Sequence, residues 1–367
     1  MAYLKGAPRS LAATSLLLTQ ERVETVARPT VNDIAKEAGV SLATVDRVLN
    51  GRPGVRKKTV EKVNEAIRRI GYVRDITAAN LARRREYHFV FVLPESDSLF
   101  LQSVRDMVNE VAELSRLDRT RITILPVPAH DPHLIAARLG ELATVAVDGV
   151  AILAPETPPV RDAIRHLKEQ DRAVVTLVSD QPNSDRDHFV GVDNVMAGRT
   201  AGALMGRFLG PGRHRVMVLV NSMQARDSLE RRFGFDQVIA ESWPDIEVLP
   251  SLEGRDDMDY ISSLLPRALE QRGAVDGLYV LGAGNREVSR VLKSLGLSQQ
   301  VTVIAHELTE STRRGLESGV VDAVITQNVG HIVRSAIRVL RATCDGTPII
   351  EAQEKIRLEI VIRENLP

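Results

Sequence analysis

Residues 30–51 read TVNDIAKEAGVSLATVDRVLNG, two short amphipathic helices around a tight turn. Thr30 with Asp33 three residues on makes a capping-box-like start. Val31, Ile34, Ala35 and Ala38 then share one apolar face. Gly39 offers the left-handed backbone that ends this helix, and Ser41 can cap the next. Val45, Val48 and Leu49 pack the second helix back on the first. This is helix-turn-helix geometry, in which the start of the second helix enters the major groove of DNA. Leu42, Ala43, Asp46 and Arg47 fall on its remaining face and are the candidate base readers. Thr30, Ser41 and Thr44 complete the candidate contact set around them. A third helix over 57–70, KKTVEKVNEAIRRI, turns Val60, Val63, Ala66, Ile67 and Ile70 to the same core, and Gly71 ends it.

The charge distribution agrees. The 367-residue chain sums to zero, yet residues 29–85 hold 13 Lys/Arg against 6 Asp/Glu, a net +7, so the remainder carries −7. A small basic module joined to a large acidic one suits a nucleic-acid binder with a second function. With 44% hydrophobic and 26% charged residues the chain is globular, and its length implies two or three domains. No apolar run approaches the roughly 20 residues of a membrane span. The single Cys344 excludes an internal disulfide and suits a reducing compartment, so a cytoplasmic location is expected. LAATSLLL (11–18) has some character of a signal-peptide core, but the sequence beyond it is of cytosolic type. Residues 1–28 are expected to be a disordered arm or the product of a misplaced start.

DIAKEAGVSLATVDRVLNG, GVRKKTVEKVNEAIRRIGYVRD and AANLARRR together resemble, without a gap from Thr30 to Arg84, the headpiece of the lactose-repressor (LacI) family of bacterial transcription regulators. The resemblance implies a dimer on a near-palindromic operator and a hinge helix that wedges a leucine pair into the minor groove. By position, Leu42 and Ala43 take the two specificity places, Arg47 that of a base-contacting arginine and Asn50 that of an asparagine near the backbone. Leu81 takes the place of the hinge leucine, with Ala78 beside it; opening a base step costs a few kcal/mol, recovered on the bent duplex. Two residues depart from the family. Arg56 stands where relatives cap the third helix with serine or threonine. Asp46 stands where most carry serine. Asp46 can accept from a cytosine amino group or fix a neighbouring arginine such as Arg47, and we expect the second.

From His88 onward β-rich runs alternate with helical stretches: HFVFVL, RITILPV, GVAIL and AVVTLV, then, after VGVDN (190–194), RVMVLV, IEVL, DGLYVL and VTVI. Helices are expected over 99–116, 133–146 and 159–170, up to 209, and over 226–241, 257–271 and 286–295. Such alternation means parallel sheets with helices on both faces, and two successive sets mean two lobes with a ligand between them. The family resemblance implies the same: a periplasmic-binding-protein-like core over 88–363. It also supplies most candidate ligand contacts. Arg231 in SLERRFGF takes the place of the effector-binding arginine, whose fork suits sugar hydroxyls or a carboxylate, with Arg232 as competitor. Asn285, Glu307 and Gln327 follow or end later strands at ligand-binding positions. In the first lobe Phe100 is placed to stack on a sugar ring, and Ser179 and Asp180 close AVVTLV. Asp193 is read mainly as a helix cap that can also touch ligand.

An enzyme is the first rival, since GAG at 282–284 follows a strand, but a dinucleotide fingerprint breaks at Glu287 where its third glycine belongs. There is no GxSxG, P-loop or HExxH, and His130 and His133 are too isolated for zinc. The second rival, a transport-type solute-binding protein, leaves the basic module unexplained. The expected organisation is therefore an all-α headpiece (29–74), a hinge (75–87) and an α/β two-lobed effector and dimerisation domain (88–363) behind an extension (1–28). The expected function is a ligand-responsive regulator, a repressor of sugar or polyol uptake or catabolism genes. Its partners are operator DNA, a sugar, polyol or derivative, and a second copy. No catalytic residue, cofactor, metal or membrane is expected. ENLP closes the last strand without a tetramerising heptad segment, which points to a dimer.

Overall fold

The computed structural model describes residues 29–49, 52–72, 85–255, 257–272, 275–282 and 284–367. These fall into two compact units that divide between Arg83 and Arg84. Asn50, Ala78 and Leu81, and the extension 1–28, lie outside the described residues.

The first unit is three helices, α1 (Val31–Ala38), α2 (Leu42–Leu49) and α3 (Lys57–Ile70). Ile34, Ala38, Val45, Val63 and Ala66 form its buried centre, the faces that the helical spacing predicts. Gly39 and Gly71 end α1 and α3 in the left-handed region, at φ 58° and 65°. The capping box of α1 is only half formed. The Thr30 amide donates to Asp33 Oδ2 at 2.8 Å, but the Thr30 hydroxyl donates to the same oxygen instead of accepting from the Asp33 amide. Arg56 stands at the N-cap of α3 with no side-chain cap. Arg69 ties α3 to α1 through Glu37 at 2.6 Å.

The second unit holds two sheets. The first has strand order β2-β1-β3-β4-β5, all parallel: β1 (Tyr87–Glu95), β2 (Thr120–Pro128), β3 (Gly149–Ile152), β4 (Ala173–Leu177) and β5 (His188–Val190). One face is covered by α5 (Pro132–Thr144) and α6 (Pro158–Glu169), the other by α4 (Leu99–Ser115). Burial on both faces explains why these strands read as continuous apolar runs. The second sheet has order β12-β11-β10-β9-β6-β7, with β8 (Leu252–Glu253) beside β6. Its strands are β6 (His214–Val220), β7 (Ile246–Val248), β9 (Gly277–Val280), β10 (Thr302–His306), β11 (Ala323–Gln327) and β12 (Leu358–Val361). Around it lie α7 (Asn194–Leu209), α8 (Arg226–Ser242), α9 (Met258–Arg272), α10 (Asn285–Ser294) and α11 (Glu310–Glu317).

Two features depart from the all-parallel, lobe-after-lobe expectation. β12 pairs antiparallel with β11 at the sheet edge, where a return strand needs no crossover. More consequentially, α12 (Val329–Asp345) leaves β11 of the second sheet and packs in the first lobe. Ile332, Val333, Ala336, Val339 and Leu340 bury there against the β1, β3 and β4 face. Gly149 makes room, since a Cβ on it would lie 2.9 Å from Leu340 Cδ2. At the far end of α12, Asp345 accepts from Tyr87 Oη at 2.7 Å and from Arg85 at 2.9 Å. A short helix, α13 (Glu351–Glu354), then leads back to β12, its buried Glu354 accepting from Ser335 and Arg338 of α12.

One device sets both sheets. Asp148, Asp187, Asp276 and Asp322 each precede a strand and accept the amide at the start of its neighbour, at 2.7, 2.7, 2.8 and 2.7 Å. Each fixes register with one charge-assisted bond. None of the helices formed by the described residues is long and apolar enough to cross a membrane.

Candidate functional site

In the three-helix unit, Ser41 caps α2: its Oγ accepts the Thr44 amide at 3.2 Å and lies 2.9 Å from Thr44 Oγ1. With Val45 turned to the core, Leu42, Ala43, Asp46 and Arg47 are all exposed on one face, and Leu42 is 50% exposed. An exposed leucine at the first turn of a short helix has no packing role inside its own unit. Thr30 is exposed at the start of α1. Among the described residues the arginine partner of Asp46 is Arg52, at 3.3 Å, rather than Arg47. Both side chains are more than half exposed, so this pair contributes little to stability.

The second site is a cleft of about 240 Å³ between the two lobes, at the carboxyl ends of their strands. That is small beside the roughly 300–1,000 Å³ of pockets for drug-sized ligands. Phe100 and Ser179 line it from the first lobe, Arg231, Asn285 and Glu307 from the second.

Arg231 owes its place to glycines. Gly198, Gly202 and Gly206 recur every four residues along α7, so α8 lies against that helix backbone to backbone. A Cβ on Gly198 would sit 1.9 Å from the Arg231 carbonyl oxygen, and one on Gly234 2.1 Å from that of Val195. Arg231 is thereby held 2% exposed. It donates from Nε to Asn194 Oδ1 (2.8 Å), from Nη1 to the Leu281 carbonyl (2.7 Å) and from Nη2 to Glu307 Oε1 (3.2 Å). Gln327 Nε2 donates to the same Glu307 oxygen at 2.9 Å. Asn194 Nδ2 in turn donates to the Val178 carbonyl of the first lobe at 3.1 Å. Val178, Asn194, Arg231, Glu307 and Gln327 thus form one buried polar chain from lobe to lobe.

The backbone is strained at two of its members. Val178 has φ 61° and Glu307 φ 68°, a region that β-branched residues in particular avoid. At Val178 the Ser179 amide closes a three-residue turn on the Leu177 carbonyl at 2.5 Å. Such outliers collect at ligand sites because surrounding structure must hold them. Burial pushes the Glu307 carboxyl up, against Arg231 and Gln327, which pull it down. His306, buried behind it and beside the Arg231 cation, is held well below the usual imidazole range and is neutral. Its Nε2 lies 2.8 Å from Tyr279 Oη, and Tyr279 stacks on Phe235 with ring centres 4.5 Å apart, a rigid floor beneath the arginine.

At the cleft mouth a second contact joins the lobes. Glu156, in the loop before α6, accepts from Arg226 at the start of α8 at 2.8 Å. Asn183 and Glu230 hold the two partners, at 2.8 and 2.7 Å.

Three sequence candidates stand away from the cleft lining. Asp180 accepts from Arg186, Thr176 and the Gln181 amide; burial opposes its charge, but these donors hold its carboxyl below the usual range. Asp193 caps α7 by accepting the Met196 amide at 2.9 Å. Gln327 reaches the cleft only through Glu307. Arg232, the competitor of Arg231, points elsewhere, to Asp236 and Ser251. Sequence reasoning took Asn194, with Asp193 in VGVDN, for helix capping rather than as the partner of Arg231. It missed as site residues the Glu156–Arg226 pair and Glu287, which is buried in the lining. The repeated glycines of MAGRTAGALMG are the signal that could have marked the α7–α8 contact. Among the described residues no group of three or more His, Cys, Asp or Glu is placed to hold a metal.

Comparison with known proteins places both units. The model "Periplasmic binding protein domain" matches residues 89–348, and the model "Bacterial regulatory proteins, lacI family" matches residues 30–75. The chain belongs to the lacI family of bacterial regulatory proteins. These are transcription regulators, not enzymes. Catabolite control protein A of Staphylococcus epidermidis is 29% identical over 164 residues, 45% of this chain and 47% of the relative. The protein of the same name from Priestia megaterium is 28% identical over 150 residues, 41% and 43% of the two chains. The chain thus spans less than half the length of the curated relatives it matches. A glucose-galactose binding protein from Geobacillus stearothermophilus superposes with a TM-score of 0.69 at 20% identity, over 77% of this chain and 99% of that one. A solute-binding protein from Burkholderia graminis in complex with D-arabinose gives 0.69 at 21% identity, over 76% and 96%. At these identities the likeness establishes the two-lobed fold.

Proposed function

We propose that this protein is a cytoplasmic, homodimeric, ligand-responsive repressor. Its three-helix unit reads a near-palindromic operator, and its cleft takes a sugar, polyol or derivative whose uptake or catabolism the operon serves. The observation that carries the reading is the union, in one chain, of an exposed reading face on α2 and a cleft crossed by a buried polar chain. A transport protein has no use for the first, and a constitutive DNA binder none for the second. The solute-binding proteins of the same fold supply the ligand class: two are described with or for monosaccharides.

Leu42, Ala43 and Arg47 read base edges in the major groove, with Asn50, Thr30, Ser41 and Thr44 at the backbone. Ala78 and Leu81 wedge the central step. Asp46, held by Arg52 and itself negative, lowers general affinity for phosphate and so sharpens discrimination. In the cleft, Phe100, Ser179, Arg231, Asn285 and Glu307 meet the ligand. Arg231, Asn194 and Val178 join the lobes, so a ligand that binds one lobe arrangement better shifts the population by that difference, and operator affinity follows by linkage.

The test selects operator sequences with the full chain, then measures operator affinity while titrating monosaccharides and polyols. A near-palindromic consensus whose affinity falls on adding one sugar supports the reading. Selection of no sequence, or an operator affinity that no member of the panel changes, removes it.

A further inference from the structure

The donors on the second-lobe wall are largely spent inside the protein. Arg231 commits three of its five N–H groups to Asn194, Leu281 and Glu307. Asn285 gives its amide hydrogens to the carbonyls of Gly282 (2.9 Å) and His306 (3.3 Å), which leaves its oxygen as the group for a ligand. The acceptors are in the opposite condition. Glu287 and Glu307 both line the cleft, both are 6% exposed, and each has a buried Oε2 without a hydrogen-bond partner.

Glu307 at least faces the Arg231 cation. Glu287, in the first turn of α10, has no ion pair or hydrogen bond among the described residues. An acid at this place commonly reaches back to the N-cap amide, but no side-chain bond is made to Gly284, the N-cap residue here. The charges point the same way. Asp97, Asp227, Glu287 and Glu307 line the cleft against Arg231 and Arg286, a formal −2. A buried carboxylate is stable only when paired. An anionic ligand meets this wall with repulsion, and a neutral sugar fills the acceptors without balancing the charge. A protonated amine does both, with three donors on one cation.

We propose that the effector is an amine-bearing polyhydroxyl compound, an amino sugar or aminopolyol, whose ammonium seats against Glu287 while its hydroxyls donate to Glu307 and Asn285. This rests on the reading of the cleft as the effector site, and it names Glu287 as the residue that sets specificity.

The test is calorimetric titration of the full chain with matched probes. D-Glucose, D-galactose and sorbitol stand against D-glucosamine, D-galactosamine and D-glucamine, with D-glucuronate and D-galacturonate as the anionic arm. At least one amine is expected to bind tenfold or more tighter than its neutral parent. Glu287→Gln should remove that preference, so that an amine and its neutral parent bind the variant within threefold of each other. A neutral sugar that binds as tightly as its amine, any uronate that binds, an unchanged preference in Glu287→Gln, or a panel in which no amine binds overturns the proposal. If a neutral sugar binds as tightly as its amine and Arg231→Lys weakens it, the cleft reading stands and only the amine fails. If an amine binds equally well to Glu287→Gln and Arg231→Lys, its site lies outside the cleft and the functional reading fails with it.

Discussion

Replacing Arg231 by alanine strips three buried acceptors of their donor at once. Glu307 keeps only Gln327, Asn194 Oδ1 and the Leu281 carbonyl lose their partner, and the carboxylate loses its cation. Breaking a buried ion pair by removing one partner costs about 3–5 kcal/mol. Each further orphaned buried acceptor adds about 1–3 kcal/mol, less where water enters from the cleft. A net loss of at least about 3–5 kcal/mol is expected, and its pH dependence has a definite sign. Burial already raises the Glu307 carboxyl, and removing Arg231 raises it further. Above the unfolded value near 4.5 the folded variant keeps a proton that the unfolded chain releases, so its stability falls as pH rises toward the folded value. Urea unfolding followed by the single Trp243, packed over Gly206 where α7 meets α8, reads this region directly. The deficit should be larger at pH 8 than at pH 5.5, and Arg231→Ala/Glu307→Gln should be more stable than Arg231→Ala alone. A single variant within 1 kcal/mol of wild type, or a deficit that ignores both pH and Glu307→Gln, would refute the argument.

Four further outcomes are expected. Gly198→Ala, with its Cβ against the Arg231 carbonyl, should lower lobe stability by about 1–3 kcal/mol or more, as overpacking does; an unchanged urea midpoint would show that the helices part freely. Arg226→Ala removes the clasp to Glu156, whose partly exposed geometry limits it to about 1 kcal/mol, so effector affinity should fall about two- to fivefold with no change in operator selection. Arg56→Ser gives α3 the cap it lacks and should raise headpiece stability by about 0.5–2 kcal/mol in thermal unfolding. Arg47→Ala should cost about 1–3 kcal/mol of operator affinity and relax preference at its base pair, whereas a uniform loss across all sequences would make it a phosphate contact.

Much of this was legible because periodicity reports burial. The α2 face that keeps Leu42 out of the core, the glycines that end α1 and α3, and the strand runs buried on both sides all follow from local spacing. Resemblance located Arg231, Asn285 and Glu307, and the structure seats them around one cleft. Other features were not legible because they depend on residues far apart in sequence. Nothing near Arg231 says that its guanidinium is turned toward Asn194, 37 residues earlier, and Glu307, 76 residues later. Asp180 was a plausible strand-end acid, yet Arg186 claims it, whereas Asp193 caps its helix as its place before α7 suggested. Glu287 entered only as the residue that spoils a glycine motif, and its burial could not be read from its neighbours. Some of the missed signal was local after all: VDG at 147–149 and 275–277 and VDA at 321–323 mark three of the four strand-register aspartates.

The path of α12 carries a consequence for how the protein is made. The first sheet is complete in sequence by Val190, but Ile332, Val333, Ala336, Val339 and Leu340, which close one of its faces, come well over a hundred residues later. At roughly 5–20 residues per second of synthesis, that face waits on the order of ten seconds for its cover while the second lobe is being built. A nascent chain in that interval presents to the cell an apolar sheet face that α4 covers only in part. Chaperone capture should therefore peak after the first five strands emerge and end once α12 has left the ribosome, which makes the order of translation part of how the two lobes find each other.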